Sequence, residues 1–505
     1  MVLAASRQVQ RRRGGPAGAA RGGPAGVSGA ACRPGPPPAR PEAPRRRGRR
    51  GRGPRPPRGA GAGAGAGAPG GAAAVEREVP AGTAVMTVPE SVCVTLADVE
   101  ADPLVGRAAA GRGEMVGLAL WLLAEQARAA AGAGSAWPGL AGQLLGRVPN
   151  TPLLWEPDLR AKVLKGSPVL RETEERRAAL AEEWGRIEAA LAAEPDPGAF
   201  PGAVFALERF LEAFAVILAR SVYLPSAQCF ALVPDVVDVE RSSKGACMVD
   251  FDLDQGAVTV VAKRSYKPGE TLAIMDDRPN SERVLVLGEF EEGNPQDCLL
   301  FDAELIPADQ LYQVKEQILG SFGYGPQAAF PVYEDRMPLQ YLAYLRLARV
   351  QDSAQLARVT FEEDVLIDES NEYEILQLVM GDCRERLAEY EQNEEYDVVL
   401  LDRGELSPIE RLGIQQRLAE KKILRKTMDT IRRRLAPIRG IPTKTGTMED
   451  PNQDITEMFD QIENVIPNAK AAVDNFFSWA RGDMDPEWRK GPRRRKQKSP
   501  PPKPW

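Results

Sequence analysis

Histidine is missing from all 505 residues of the chain. That absence excludes Ser-His-Asp hydrolysis, His-ligated metals, haem on a proximal His and imidazole acid–base chemistry. Cysteine is sparse, and its six copies (Cys32, Cys93, Cys229, Cys247, Cys298, Cys383) include no C-x-x-C pair. The spacing argues against a zinc cluster, and a disulfide scaffold is not expected in so long a chain. Long apolar runs are lacking too. The longest, Met115–Ala124, is interrupted by Gly117 and stops at Glu125, well short of the ~18–20 residues of a membrane span. A soluble chain with no membrane partner is expected.

Acids are almost absent from the first seventy residues. That segment holds fifteen Arg, no Lys and one acid (Glu42), a net charge of +14, whereas the whole chain carries −6. The remainder therefore carries −20, so a basic head sits on an acidic body. Residues 1–70 are mostly Ala, Gly, Pro and Arg, too poor in apolar surface to repay the entropy of ordering, and disorder is expected. An Arg-rich, acid-poor start without an apolar core has the composition of an organelle transit peptide. The other reading is a basic arm that touches RNA through phosphates, but no aromatic residue is there to stack on bases. Gly61–Gly67 alternates with Ala and lacks the strand before and the lysine-bearing helix after that a phosphate loop requires. The far end, 488–505, is basic (Arg493, Arg494, Arg495, Lys496) and then Pro-rich, as a solvated tail would be.

At roughly 150 residues per domain, the length allows two or three domains. Thr83–Val88 reads as a short strand before Pro89, and Glu114–Ala131 as a helix with Leu118, Leu122 and Ala129 on one face. Glu172–Ala193 has charges on most faces and reads as an exposed helix. Phe205–Arg220 reads as a helix with Phe210, Phe214 and Ile217 on its buried face. Ala246–Phe251 and Ala257–Ala262 are β-rich runs that predict a hairpin. Lys267-Pro268-Gly269-Glu270 puts Pro and Gly at the central positions of a type II turn, and Thr271–Ile274 returns as a strand. From about Asp302 to Leu435 the pattern is helical. Glu374–Tyr390 places Ile375, Leu376, Val379, Met380 and Cys383 at three- and four-residue steps, and Ser407-Pro408-Ile409-Glu410 is a capping signature.

Four stretches in this order carry a resemblance. The helix ending Ile217-Leu218-Ala219-Arg220 leads to Leu232-Val233-Pro234-Asp235. The hairpin and Tyr266-Lys267-Pro268-Gly269-Glu270 follow, and then Asn280-Ser281-Glu282-Arg283 through Gly288-Glu289-Phe290. The succession resembles the SET domain of the plant Rubisco large-subunit lysine methyltransferase type, and the second half resembles that family's substrate-binding domain. The resemblance implies an α+β fold. A SET-like domain spans 71–292 with a helical insertion at about 112–220, an all-helical domain spans 302–440, and a C-terminal helix and tail occupy 441–505. It also implies S-adenosylmethionine as cofactor, no metal, a chloroplast (stromal) location and a protein partner bearing a basic or lysine-bearing segment.

Residue by residue, the resemblance finds few of that family's polar groups. The family's Asn-His pair for the cofactor falls on Glu240-Arg241, and its two tyrosines fall on Asp276 and Leu287. Its glycine loop maps to Gly71 within Gly70–Ala74. Arg220 stands where the family has a residue near the cofactor's carboxylate, and Gly269, Glu270 and Asn280 are kept. A leucine cannot donate a hydrogen bond, and Glu240 would bring a negative charge to the adenine edge. The expected cofactor positions are therefore Arg220, Gly71, Glu240 and Arg241, with no confident catalytic residue. Loss of several oriented groups that act as a unit leaves little rate. A weak or non-catalytic SET protein acting as a protein-binding module is expected. The alternatives are an active but divergent protein-lysine methyltransferase and a nucleic-acid-associated plastid factor.

Overall fold

The computed structural model describes residues 75–438, apart from 136 and 145. The basic head at 1–70, Gly71 with its loop, and the segment 441–505 lie outside the described residues.

The chain enters on strand Ala84–Pro89 (β1) and the short Val94–Thr95 (β2). The helical insertion follows, built mainly from Glu114–Ala130 (α1), Pro157–Val163 (α2), Pro168–Ala192 (α3) and Leu207–Arg220 (α4). The predicted apolar face of α4 is buried: Phe210, Leu211, Phe214 and Ile217 pack with Leu118, Trp121 and Leu122 of α1. The third helix differs from its predicted exposure. Leu180, Trp184, Ile187 and Leu191 form a buried stripe along α3, and the Trp184 ring lies 5.2 Å from Phe210. The stripe is only one residue wide per turn, so the charges on the remaining faces conceal it.

Strands Val222–Leu224 (β3), Cys229–Leu232 (β4), Glu240–Ser242 (β5), Cys247–Asp252 (β6), Ala257–Ala262 (β7) and Ala273–Met275 (β8) come next. They make a five-stranded sheet in the order β1-β7-β6-β8-β5 and a three-stranded sheet β2-β4-β3. The predicted hairpin is the antiparallel β6–β7 pair, in register from Cys247↔Ala262 to Asp252↔Ala257. The predicted turn also forms: the Glu270 amide donates to the Lys267 carbonyl at 3.1 Å, and Gly269 takes φ +88°. Two parallel pairings, β5–β8 and β6–β8, bring the strand ends near Ser242 and Met275 to the helix Asn280–Val286 (α5).

The second half contains Cys298–Glu304 (β9), Tyr312–Ser321 (α6), Gln327–Tyr333 (β10), Leu339–Arg349 (α7), Glu369–Glu389 (α8), Glu394–Arg403 (α9) and Pro408–Ile438 (α10). The expectation of an all-helical domain needs one correction, because β9 and β10 pair as an antiparallel ribbon. Along β9 the side chains alternate, with Leu299, Phe301 and Ala303 buried in the helical core and Leu300, Asp302 and Glu304 outward. The rest follows prediction. Ile375, Leu376, Val379, Met380 and Cys383 of α8 meet Leu424, Met428, Ile431 and Leu435 of α10. Ser407 and Glu410 cap α10 reciprocally: Ser407 N donates to Glu410 Oε2 at 3.1 Å, and Glu410 N donates to Ser407 Oγ at 3.3 Å.

The two halves share a seam along the first part of α10. Leu412 packs with Trp155, Val163, Val284 and Leu285. Arg417 Nη1 donates to the Val163 carbonyl at 2.9 Å. Glu420 accepts hydrogen bonds from Ser167 Oγ at 2.8 Å and from the Tyr390 hydroxyl at 2.9 Å. Gly166 is required there. It sits at φ +83°, and an added Cβ would lie 2.7 Å from the Tyr390 backbone.

Candidate functional site

Helix α4 ends at Arg220, and the chain turns at once into β3. The parallel register of β5 with β8 sets Arg241 opposite Ile274 and Ser242 opposite Met275. Asp276, the residue after β8, then donates its amide to the Ser242 carbonyl at 3.1 Å. Asn280 opens α5 and carries Arg283 one turn along the helix. Residues far apart in sequence therefore converge in one corner.

The corner is charged and largely self-satisfied. Asp276, 5 % exposed, accepts from Arg278 Nε at 2.6 Å and Nη2 at 2.9 Å, and from Arg283 Nη1 at 2.6 Å. Arg283, 4 % exposed, also donates through Nη2 to the Arg241 carbonyl at 3.2 Å and lies 3.5 Å from Glu291. Burial pushes the Asp276 carboxyl up, but the hydrogen bonds and charge of Arg278 and the charge of Arg283 outweigh it and hold the group below the usual carboxylate range. Glu291 follows the same logic: burial is overcome by hydrogen bonds from the Ser243 backbone and from the hydroxyls of Ser243 and Ser242, with help from Arg283.

Two further guanidiniums differ in kind. Arg220 Nη1 donates to the Val237 carbonyl at 3.1 Å, and its Nε is buried with no hydrogen-bond partner. Arg241 Nη2 donates to the carbonyls of Ser221 at 2.9 Å and Arg220 at 3.3 Å. Among the described residues, neither pairs with a carboxylate. The Arg241 guanidinium is pushed down to about 10, first by burial and then by the charge of Arg278, with Arg220 adding to it and Asp276 opposing.

The expected positions thus fare differently. Arg220, Arg241 and Asp276 come together. Glu240 precedes Arg241 on a strand, so its side chain points to the other face, and it is exposed. Leu287 caps the C-terminus of α5 and packs against the apolar cluster around Trp155 and Leu164. Gly288 beside it takes φ +69° and abuts the Asn150 carbonyl, so that a Cβ would collide. Asn280 is a structural clamp: its amide nitrogen donates to Asp297 Oδ2 and the Glu291 carbonyl, each at 3.0 Å, and its oxygen accepts from Glu291 N at 3.0 Å. Sequence reading missed Arg278, Arg283 and Glu291. The Asp276-x-Arg278 spacing is the one local sign of them.

Tyrosine does not reach this corner from elsewhere in the first half. Of its two tyrosines, Tyr223 is exposed beside Phe230. The other, Tyr266, lies in the strand core with its hydroxyl 3.4 Å from Cys247 Sγ. An S-adenosylmethionine would bring a sulfonium and an ammonium to a corner that presents guanidiniums in place of amide and imidazole, and a carboxylate that Arg220 could meet. The residues described here fit the cofactor at that carboxylate end and lack the amide and imidazole for the rest of it.

Sheet order, helical insertion and mostly helical second half give the chain the fold seen in the solved SET-domain structures of Rubisco LSMT. The family described as Rubisco LSMT substrate-binding matches residues 306–424. The "Ribulose-1,5 bisphosphate carboxylase/oxygenase large subunit N-methyltransferase, chloroplastic" of Nicotiana tabacum is 24 % identical over 381 residues, covering 71 % of this chain and 75 % of that protein. The actin-histidine N-methyltransferase of Danio rerio is 26 % identical over 238 residues, 44 % of this chain and 40 % of that one. The SET domain of LSMT solved with lysine and AdoHcy superposes with a TM-score of 0.60 at 21 % identity, covering 76 % of this chain and 91 % of that one. Rubisco LSMT bound to AdoMet gives 0.59 at 21 % identity, covering 76 % and 92 %. In fold and in sequence, the chain resembles the SET-domain methyltransferases of the Rubisco LSMT type.

Proposed function

We propose that this chain is a plastid SET-fold protein that has lost efficient methyl transfer and acts as a protein-binding module for a basic or lysine-bearing segment. The observation that carries the reading is Asp276, locked by Arg278 and Arg283 at 2.6 Å where the resemblance places a tyrosine. Methyl transfer to lysine needs a neutral amine, an in-line approach and groups that orient both partners. A lysine that enters a corner lined by guanidiniums meets like charge, and Leu287 offers no hydroxyl to align it. A carboxylate at 276 with two arginine partners is not available as a base.

The acidic body supports a basic partner, since like an oppositely charged funnel it favours the encounter. The outer faces of α8 and α9 expose Tyr373, Leu378, Tyr396 and Val399 among Glu374, Glu385, Glu389, Glu395 and Asp402. The chloroplastic relative and the basic head support the plastid address.

The test is radiolabelled S-adenosylmethionine given to the full chain with a plastid extract, beside calorimetry of the cofactor alone. No labelled protein and no heat at millimolar cofactor are expected. Label on a protein band that disappears with Arg220→Ala would overturn the loss of catalysis. Capture of a Lys-rich peptide, weakened several-fold by Glu395→Lys with Asp402→Lys, would locate the binding face; capture unchanged by those substitutions removes that face from the reading. A fluorescent fusion of residues 1–80 that stays in the cytosol would contradict the plastid address.

A further inference from the structure

We propose that residues 454–466 of this chain dock as an amphipathic helix along the seam between α8 and α10, anchored in the cavity where those helices meet the start of α9. The site lies wholly in the second half, so it is independent of whether the first half transfers methyl groups.

The cavity measures about 300 Å³ and is lined by Arg384, Leu387 and Ala388 of α8, Glu394 of α9, and Arg425 and Met428 of α10. Solvent reaches this lining: Ala388 is exposed, and the Arg425 side chain keeps 38 % of its surface. Gln377, Gly381, Arg384 and Ala388 recur at three- and four-residue steps, so one face of α8 leads into the cavity. A glycine inside a helix destabilises it. At Gly381 an added Cβ would meet no atom within 4 Å, so this one leaves room for another chain to lie close.

The anchoring end is cationic within an acidic body. Burial lowers the Arg432 guanidinium below its ordinary range, and the charges of Arg384 and Arg425 add to that against the pull of Asp429. Arginines from two helices therefore share one field. Glu394 meets Arg425 at 3.0 Å, Asp429 meets Arg432 at 2.5 Å, and Lys421 is taken by Asp397 at 2.6 Å. Glu391, also on the rim, is drawn off by Lys165 at 3.1 Å.

The segment 454–466 lies outside the described residues, but its sequence answers the cavity in pattern and in charge. Ile455, Met458, Phe459, Ile462, Val465 and Ile466 recur at helical steps, Asp454 with Glu457 three residues on is a capping pattern, and Pro467 closes the run. Residues 445–469 carry six acids and no Lys or Arg. Such a segment is repelled by most of an acidic body and drawn to its cationic cavity. The tether also suffices. α10 ends at Ile438, and residues 439–453 can span up to ~50 Å, whereas the return along α10 to Arg425 is only ~20 Å. A helix over 455–466 is about 18 Å long, against about 17 Å for the α8 face from Gln377 to Ala388. At the roughly millimolar effective concentration a short tether gives, a weak contact is enough.

Amide exchange on the full chain tests this, with sedimentation as a check on mass. Exchange at 455–466 is expected about tenfold or more slower than at 439–453. Phe459→Asp with Ile462→Asp, Arg425→Glu with Arg432→Glu, and Ala388→Trp, which fills the cavity, are each expected to return it to the open-chain rate. Melting checks folding, and Ala388→Trp, at an exposed position, serves if the arginine variants do not fold. A synthetic peptide of residues 450–468 is expected to bind the Phe459→Asp, Ile462→Asp chain and not the parent, whose cavity is already filled. Open-chain exchange in the parent, protection unchanged by Ala388→Trp, or peptide binding equal in both chains would overturn the proposal. So would a doubled mass that falls on dilution together with the protection, since the segment would then lie on a second copy.

Discussion

Replacing Glu420 by glutamine tests how the seam responds to pH. Glu420 is 1 % exposed and accepts from Ser167 Oγ at 2.8 Å, Gln416 Nε2 at 2.9 Å and the Tyr390 hydroxyl at 2.9 Å. Those bonds favour the carboxylate, yet the loss of water outweighs them, and burial pushes the group up to about 7 from an ordinary 4.5. The folded chain therefore binds the proton more tightly than the unfolded chain. Stability from this residue is complete below pH 4.5 and is lost as pH rises to about 7. At ~1.4 kcal/mol per unit, the displacement amounts to about 3 kcal/mol at most. Carboxylates held low, such as Asp276 and Glu291, titrate below this window and lose their contribution only in acid. Glu420→Gln keeps an oxygen for Ser167 and Gln416 and gives Tyr390 a donor, without the buried charge. Urea unfolding from pH 5 to pH 9 should show the variant about 1–3 kcal/mol more stable than the parent at pH 8 and nearly equal at pH 5. Parallel profiles, or a variant less stable at pH 8, would refute the reasoning.

Asp276→Asn strips Arg283 of its main charge partner inside the fold, and about 3 kcal/mol of stability should go with it, read as a lower urea midpoint at unchanged slope. A change under ~0.5 kcal/mol would show that Glu291 suffices alone. Gly166→Ala forces a Cβ against the Tyr390 backbone at a positive φ, which should destabilise by about 2 kcal/mol or more and loosen the seam, as amide exchange at Ser167 and Tyr390 would report.

Local chemistry was readable where it is strong. The β6–β7 hairpin, the Pro268-Gly269 turn and the Ser407–Glu410 capping box each rest on residues within a few positions of one another, and each is present. What escaped rests on distant partners. The α3 stripe matters only because Phe210 waits for Trp184. The β9–β10 ribbon joins two strands across a whole intervening helix. At the site, Asp276 could be placed by order of elements, but its ion pairs depend on how α5 folds back over β8. Glu240 and Arg241 were adjacent letters with the same expected role, and strand alternation sent them to opposite faces. Glu420 carried no sequence signal, because its environment is made by Ser167, some 250 residues away.

The helix α10 belongs to both halves at once. Leu412 completes the apolar cluster with Trp155 and Val284, while Leu424, Met428, Ile431 and Leu435 complete the other core. Melting either half withdraws a wall from its neighbour, so the described block should denature in one cooperative step rather than two. A truncation after residue 292 would leave Trp155 and Val284 facing water, and the severed remainder would expose Leu412. Dissecting such a protein into independently expressed pieces would yield two aggregating fragments.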